Sequence, residues 1–118
     1  MRARALRIEM HAAIELALAA ALIILPYPLG LAPATVIAGI AIGAVLAGLA
    51  ISGSEPSGRG GLPLAAHAAY DWGAGIGLIC AAVVLGLATG PASLILFLAA
   101  GLAELVLIAS TSYTPSRA

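Results

Sequence analysis

Hydrophobic residues run along this chain in four long blocks, at about 8–25, 34–52, 64–88 and 91–110, separated by short proline-, glycine- or serine-rich breaks. Each block is near the length of about 20 apolar residues that crosses a bilayer core. None alternates with the two-residue period of a barrel strand, and each is about twice a barrel strand's length. Backbone N–H and C=O groups in hydrocarbon must bond within their own segment, so the blocks predict four helices. Pro26-Tyr27-Pro28 ends the first block, because proline has no amide donor and clashes with the preceding turn. Pro33 stands where a helix would start, and Thr89-Gly90-Pro91 breaks the third block from the fourth. The stretch 52–63, SGSEPSGRGGLP, is the one polar, glycine-rich segment inside the chain and reads as a linker between two helical hairpins.

Composition turns this pattern into a statement about solvent. Of 118 residues, 63% are hydrophobic and 8% charged, and mean hydropathy is +1.15. A water-soluble domain this small cannot hide so much apolar side chain. The expected surroundings are a lipid bilayer. Formal net charge is zero, which gives no reason to expect a nucleic-acid partner. The single cysteine, Cys80, allows no internal disulfide and is expected to pack inside its helix block.

The arginines suggest orientation. Arg2, Arg4 and Arg7 precede the first block, Arg59 lies in the linker and Arg117 near the end, whereas the breaks after the first and third blocks carry no charge. By the positive-inside tendency, both termini and the linker face the cytoplasm. The expected architecture is thus an all-α, four-helix transmembrane bundle in one membrane domain, 1–118. The basic start also resembles a signal peptide, but Glu15 inside the first block argues that this span is retained.

The two halves echo each other. His11-Ala12-Ala13-Ile14-Glu15 recurs 56 residues later as His67-Ala68-Ala69-Tyr70-Asp71. These are the only histidines, and each stands one helical turn before a carboxylate. The same offset matches Leu22 with Leu78, Gly30 with Gly86 and Leu49 with Leu105. The expected organisation is repeat 1 at about 8–52, a cytoplasmic linker at 53–63 and repeat 2 at about 64–110, both entering the membrane in the same sense.

Leu25-Pro26-Tyr27-Pro28-Leu29-Gly30, which closes the first block, resembles the Ser-Pro-Trp-x-x-Gly signature of the SPW-repeat family of small prokaryotic membrane proteins. Pro26, Tyr27 and Gly30 fill its proline, aromatic and glycine places, Leu25 stands for the serine, and the second half keeps only Gly86. The resemblance implies a two-helix unit duplicated to four spans, in a prokaryotic cytoplasmic membrane. The family carries no assigned activity, so no functional residue is transferred.

Five ionisable residues within the blocks, His11, Glu15, His67, Asp71 and Glu104, could share one layer of the inner leaflet. Glu15, Asp71 and Glu104 each sit roughly 10 Å inward from the cytoplasmic ends at about 1.5 Å per residue. His11 and His67 lie one turn nearer the ends on the same faces as Glu15 and Asp71, since positions i and i+4 align. Each charged group at such depth costs about 2.5–3.5 kcal/mol on insertion scales, so all five should face inward and pair. The reading favoured by sequence is a small non-enzymatic membrane protein, structural or accessory, whose buried His/carboxylate layer fixes helix packing. Arg7 would reach toward Glu15 or a lipid phosphate. The alternative is that His11, Glu15, His67, Asp71 and Glu104 bind a metal ion or relay protons, since imidazoles with carboxylates suit Zn²⁺, Mn²⁺ or Fe²⁺. No organic cofactor is expected. Two histidines at one depth also fit haem, but adjacent carboxylates and few aromatics speak against it. An enzyme acting on lipid or quinone has least support, for no nucleophile–base pair is evident.

Gly39/Gly43, Gly73/Gly77 and Gly86/Gly90 have the spacing that lets helices approach closely, and packing within the chain is expected before a dimer face. A homodimer or a larger membrane complex is compatible with the size. Tyr27, Tyr70 and Tyr113 are expected at the membrane interfaces and Trp72 between helices.

Overall fold

The computed structural model describes residues 6–52 and 61–113. They form four helices: α1 (Ile8–Ile24), α2 (Pro33–Ser52), α3 (Leu64–Thr89) and α4 (Pro91–Ser110). The expected segments are recovered to within one residue at every end. Three helices, α2, α3 and α4, are long and apolar enough to cross a membrane. α1 has 17 residues, the lower limit for crossing, and carries Glu9 and Glu15. Much of the linker, 53–60, lies outside the described residues, as do Arg2, Arg4, Arg59 and Arg117, on which the orientation rests.

Two hairpins make the fold, α1 against α2 and α3 against α4, with thinner packing between them. The first turn is wound by successive bonds: Leu25 N–H donates to Ala21 O, Gly30 N–H to Tyr27 O and Leu31 N–H to Pro26 O. Gly30 sits there at φ +66°, a left-handed conformation that favours glycine. The second turn is a single residue, Gly90 at φ +115°, after which Pro91 opens α4. A Cβ at either glycine would meet nothing within 4 Å, so dihedral angle rather than space requires glycine at both.

Inside the first hairpin the constraint is space. A Cβ at Gly39 would fall almost on the backbone oxygen of Leu22, and one at Gly43 would come 2.6 Å from Ile23 Cγ1. α2 therefore lies directly on α1 through the predicted Gly39/Gly43 pair. Gly73 and Gly77 face open space instead, so among the described residues their spacing packs no helix.

The bundle has a layered interior. Leu22, Leu46, Leu78 and Phe97, all 0% exposed, fill its middle together with Ala19, Ala82 and Ala100. At the end holding both turns, Thr35 Oγ1 lies 2.8 Å from Ser93 Oγ and 3.3 Å from Thr89 Oγ1, and Thr89 donates to Leu85 O at 2.7 Å. These hydroxyls tie α2 to the α3–α4 turn. At the other end lie the ionisable residues. The outer faces, by contrast, carry Ile37, Ile76, Val84, Leu87, Ile95 and Val106. Polar inside and apolar outside is the arrangement expected when the solvent is lipid.

Three expectations are corrected. Trp72 is 47% exposed rather than packed between helices, because Asp71 next to it faces inward and one residue turns a helix by about 100°. Cys80 likewise points outward between the inward-facing Leu78 and Ala82. Arg7 pairs with Glu9 at 2.7 Å and not with Glu15, since residue 7 precedes the helix and its side chain is exposed.

Candidate metal centre

Helix periodicity selects the inward-facing residues. On α1, His11, Glu15, Ala19 and Leu22 recur at steps of three or four, and on α3 His67, Asp71, Gly75 and Leu78 do the same. The polar members of the two series face each other across the hairpin boundary. His11, Glu15, His67, Asp71 and Glu104 are all 0% exposed.

Asp71 is the hub. Its Oδ2 lies 2.9 Å from His11 Nε2 and 3.2 Å from His67 Nε2. Glu15 closes the group, with Oε1 3.5 Å from His67 Nε2 and Oε2 3.6 Å from His11 Nε2. The two imidazole rings meet edge to face at 5.5 Å between centroids. Ligand-capable atoms from His11, Glu15, His67 and Asp71 all fall within 4.8 Å of one another. Glu104 is adjacent but outside that group. It neighbours Glu15, Asp71 and His11, and as a carboxylate it finds no donor for either oxygen among the described residues. Four of the five expected residues thus share one group, and Glu104 lies beside it.

Two further residues join them that the sequence reading had not placed there. Beyond α4 the chain turns extended at Thr111 (φ −98°, ψ 141°) and pairs with the segment before α1: Leu6 N–H donates to Ser110 O, and Ser112 N–H to Leu6 O, both at 2.9 Å. This short bridge carries Thr111 and Tyr113 over the cluster. Tyr113, expected at the membrane interface, instead donates its hydroxyl to Asp71 Oδ2 at 2.7 Å. Burial, reinforced by the Asp71 carboxylate, raises the Tyr113 phenol well above its ordinary value, so it remains a donor.

Thr111 decides the orientation of His11. Its hydroxyl donates to Leu107 O at 2.6 Å and lies 2.8 Å from His11 Nδ1. A hydroxyl has one hydrogen, so with that hydrogen on Leu107 the Thr111 oxygen accepts from His11 Nδ1–H. The 2.9 Å approach of Nε2 to Asp71 Oδ2 then needs a proton on Nε2 as well, which a bound cation would displace to take the lone pair. Imidazoles that bind metals are held in this way, with the second nitrogen donating to a fixed acceptor. Thr111→Val is expected to leave Nδ1–H without that partner and to destabilise the fold by about 1–3 kcal/mol. A lowered thermal midpoint in detergent, with Thr111→Ser near wild type, is the check.

The separations suit a cation. Metal–ligand bonds of about 2.0–2.2 Å place neighbouring donors roughly 3.0–3.5 Å apart, depending on coordination number. The four donor contacts, from 2.9 to 3.6 Å, span that range. Arg7, the sole arginine among the described residues, is turned away toward Glu9, so no basic side chain described here competes for the carboxylates.

Comparison of the chain with family models, with curated protein sequences and with solved structures found no match in any of the three.

Proposed function

We propose that the chain is a multi-pass membrane protein that binds one divalent transition-metal cation between α1 and α3, at the end of the bundle where α1 begins and α4 ends. The convergence of His11 Nε2, His67 Nε2, Asp71 and Glu15, all four side chains fully buried, carries this reading. With the cation bound the two imidazoles are neutral and the two carboxylates bring two negative charges, which a divalent cation neutralises in a medium where net charge is costly. Thr111 and Tyr113 orient the ligands. The arginine distribution favours the cytoplasmic side, in a prokaryotic membrane, and the offset-56 pattern with the Pro26–Gly30 turn favours two tandem repeats of the SPW kind. The layer of Leu22, Leu46, Leu78 and Phe97 separates the site from the opposite hydroxyl cluster, which favours holding a cation over passing it through.

A structural role is the second reading, favoured by the direct 2.9 Å approach of His11 Nε2 to Asp71 Oδ2. With thin packing between the hairpins, such contacts could themselves hold α1 to α3.

Elemental analysis of purified protein after loading with Zn²⁺ or Mn²⁺ and gel filtration separates the two. Binding predicts about one cation per chain, lost in the His11→Ala, His67→Ala variant. Protein that retains no cation, and whose double variant merely melts earlier, would leave only the structural role.

A further inference from the structure

Glu104 is the buried group that the four-residue site does not use. It comes from α4, is 0% exposed, and as a carboxylate finds no donor for either oxygen among the described residues. Its seat is prepared by α3. Gly75 lies one turn beyond Asp71, and a Cβ there would come 2.7 Å from Leu105 Cδ2 and 3.6 Å from Glu104 Cγ. The bare backbone at Gly75 thus lets α4 approach closely enough to set the Glu104 carboxyl beside Glu15 and Asp71. Beside the carboxyls of Glu15 and Asp71, and with no arginine and no N–H donor facing it among the described residues, an ionised Glu104 is placed for a cation.

We infer that Glu104 is a fifth ligand, contributed by α4, and that it strengthens the binding of Mn²⁺ or Fe²⁺ more than that of Zn²⁺. This rests on the metal-binding reading above. Two imidazoles and two carboxylates satisfy a four-coordinate Zn²⁺ site. A third carboxylate makes the donor set harder and larger, which suits cations that take five or six ligands. The addition also brings the second hairpin's other helix into the centre, so that α1, α3 and α4 all hold the cation.

The test is paired titration of the whole protein in detergent with Mn²⁺, followed by electron paramagnetic resonance, and with Zn²⁺, followed by competition against a chelator. Glu104→Gln keeps shape and removes charge. It should weaken Mn²⁺ binding about tenfold or more while leaving Zn²⁺ binding within about threefold. X-ray absorption at the manganese edge supplies an independent reading, with one oxygen neighbour fewer in the variant. Equal losses for both metals, no loss for Mn²⁺, or an unchanged manganese shell would overturn the role of Glu104 and leave the four-ligand site standing. Failure of the wild-type protein to retain either cation would instead overturn the metal-binding reading itself.

Discussion

Asp71→Ala is expected to abolish cation binding and to be the most destabilising single change at the polar end of the bundle. One oxygen, Asp71 Oδ2, meets Tyr113 at 2.7 Å, His11 at 2.9 Å and His67 at 3.2 Å. Its removal leaves two buried imidazoles facing only Glu15 at 3.5–3.6 Å, and strips the Tyr113 hydroxyl of its acceptor. Removing one partner of a buried ion pair costs about 3–5 kcal/mol in soluble proteins. Single hydrogen bonds in membrane bundles contribute nearer 0.6 kcal/mol, so the lower end of that range, about 3 kcal/mol, is expected here. Asp71→Asn separates the two consequences. The amide oxygen still accepts from Tyr113 and the side-chain volume is preserved, so most stability should survive, while the lost charge should still remove cation binding. Thermal unfolding in detergent and cation titration on the two variants provide the comparison. A metal-retaining Asp71→Asn protein would remove Asp71 from the ligand set, and equal destabilisation by Asn and Ala would contradict the assignment of Tyr113 as its donor.

How much of this centre could be read from the chain depends on how local the determining physics is. Helix ends were legible because proline and glycine act at their own positions: Pro26, Pro33, Gly90 and Pro91 bound helices whatever lies elsewhere. The gathering of His11, Glu15, His67, Asp71 and Glu104 was legible for a different reason. Charged side chains in an apolar block are costly, and each has only the interior as a refuge. Trp72 and Cys80 were also within reach, for once Asp71 and Leu78 face inward the helical period turns residues 72 and 80 outward. Thr111 and Tyr113 were not. Their role depends on pairing between Leu6 and Ser112, more than 100 residues apart in sequence, and a threonine or tyrosine just past an apolar block is ordinary at a membrane interface. The distances that point toward a cation were beyond the sequence as well, since they are set by how one hairpin seats on the other.

Phe97→Ala should destabilise the bundle about as much as the loss of Asp71, yet leave the cation site working. Phe97 is the only phenylalanine, is 0% exposed, and packs in the middle layer with Leu22, Leu46 and Leu78. Truncating a buried phenylalanine costs about 3–5 kcal/mol, much of it from the cavity left behind. Lipid offers no hydrophobic drive to close such a gap, because helices in hydrocarbon are held by close packing that the cavity removes. Along α4, however, Phe97 lies seven residues before Glu104, about 10 Å at 1.5 Å per residue. Sites that far apart with no shared partner contribute independently to within about 0.5 kcal/mol. Cation affinity in Phe97→Ala should therefore match wild type, and its destabilisation should add to that of Asp71→Ala. The measurement is the thermal midpoint of both single variants and the double variant, with cation titration on each stable form. Strong non-additivity, or a cation affinity that falls with Phe97, would mean that the apolar layer sets the distance between the hairpins and through it the geometry of the site. Additivity would locate the determinants of the centre at the polar end alone: in the facing helix turns of α1 and α3, in Glu104 above Gly75, and in the bridged segment that carries Thr111 and Tyr113.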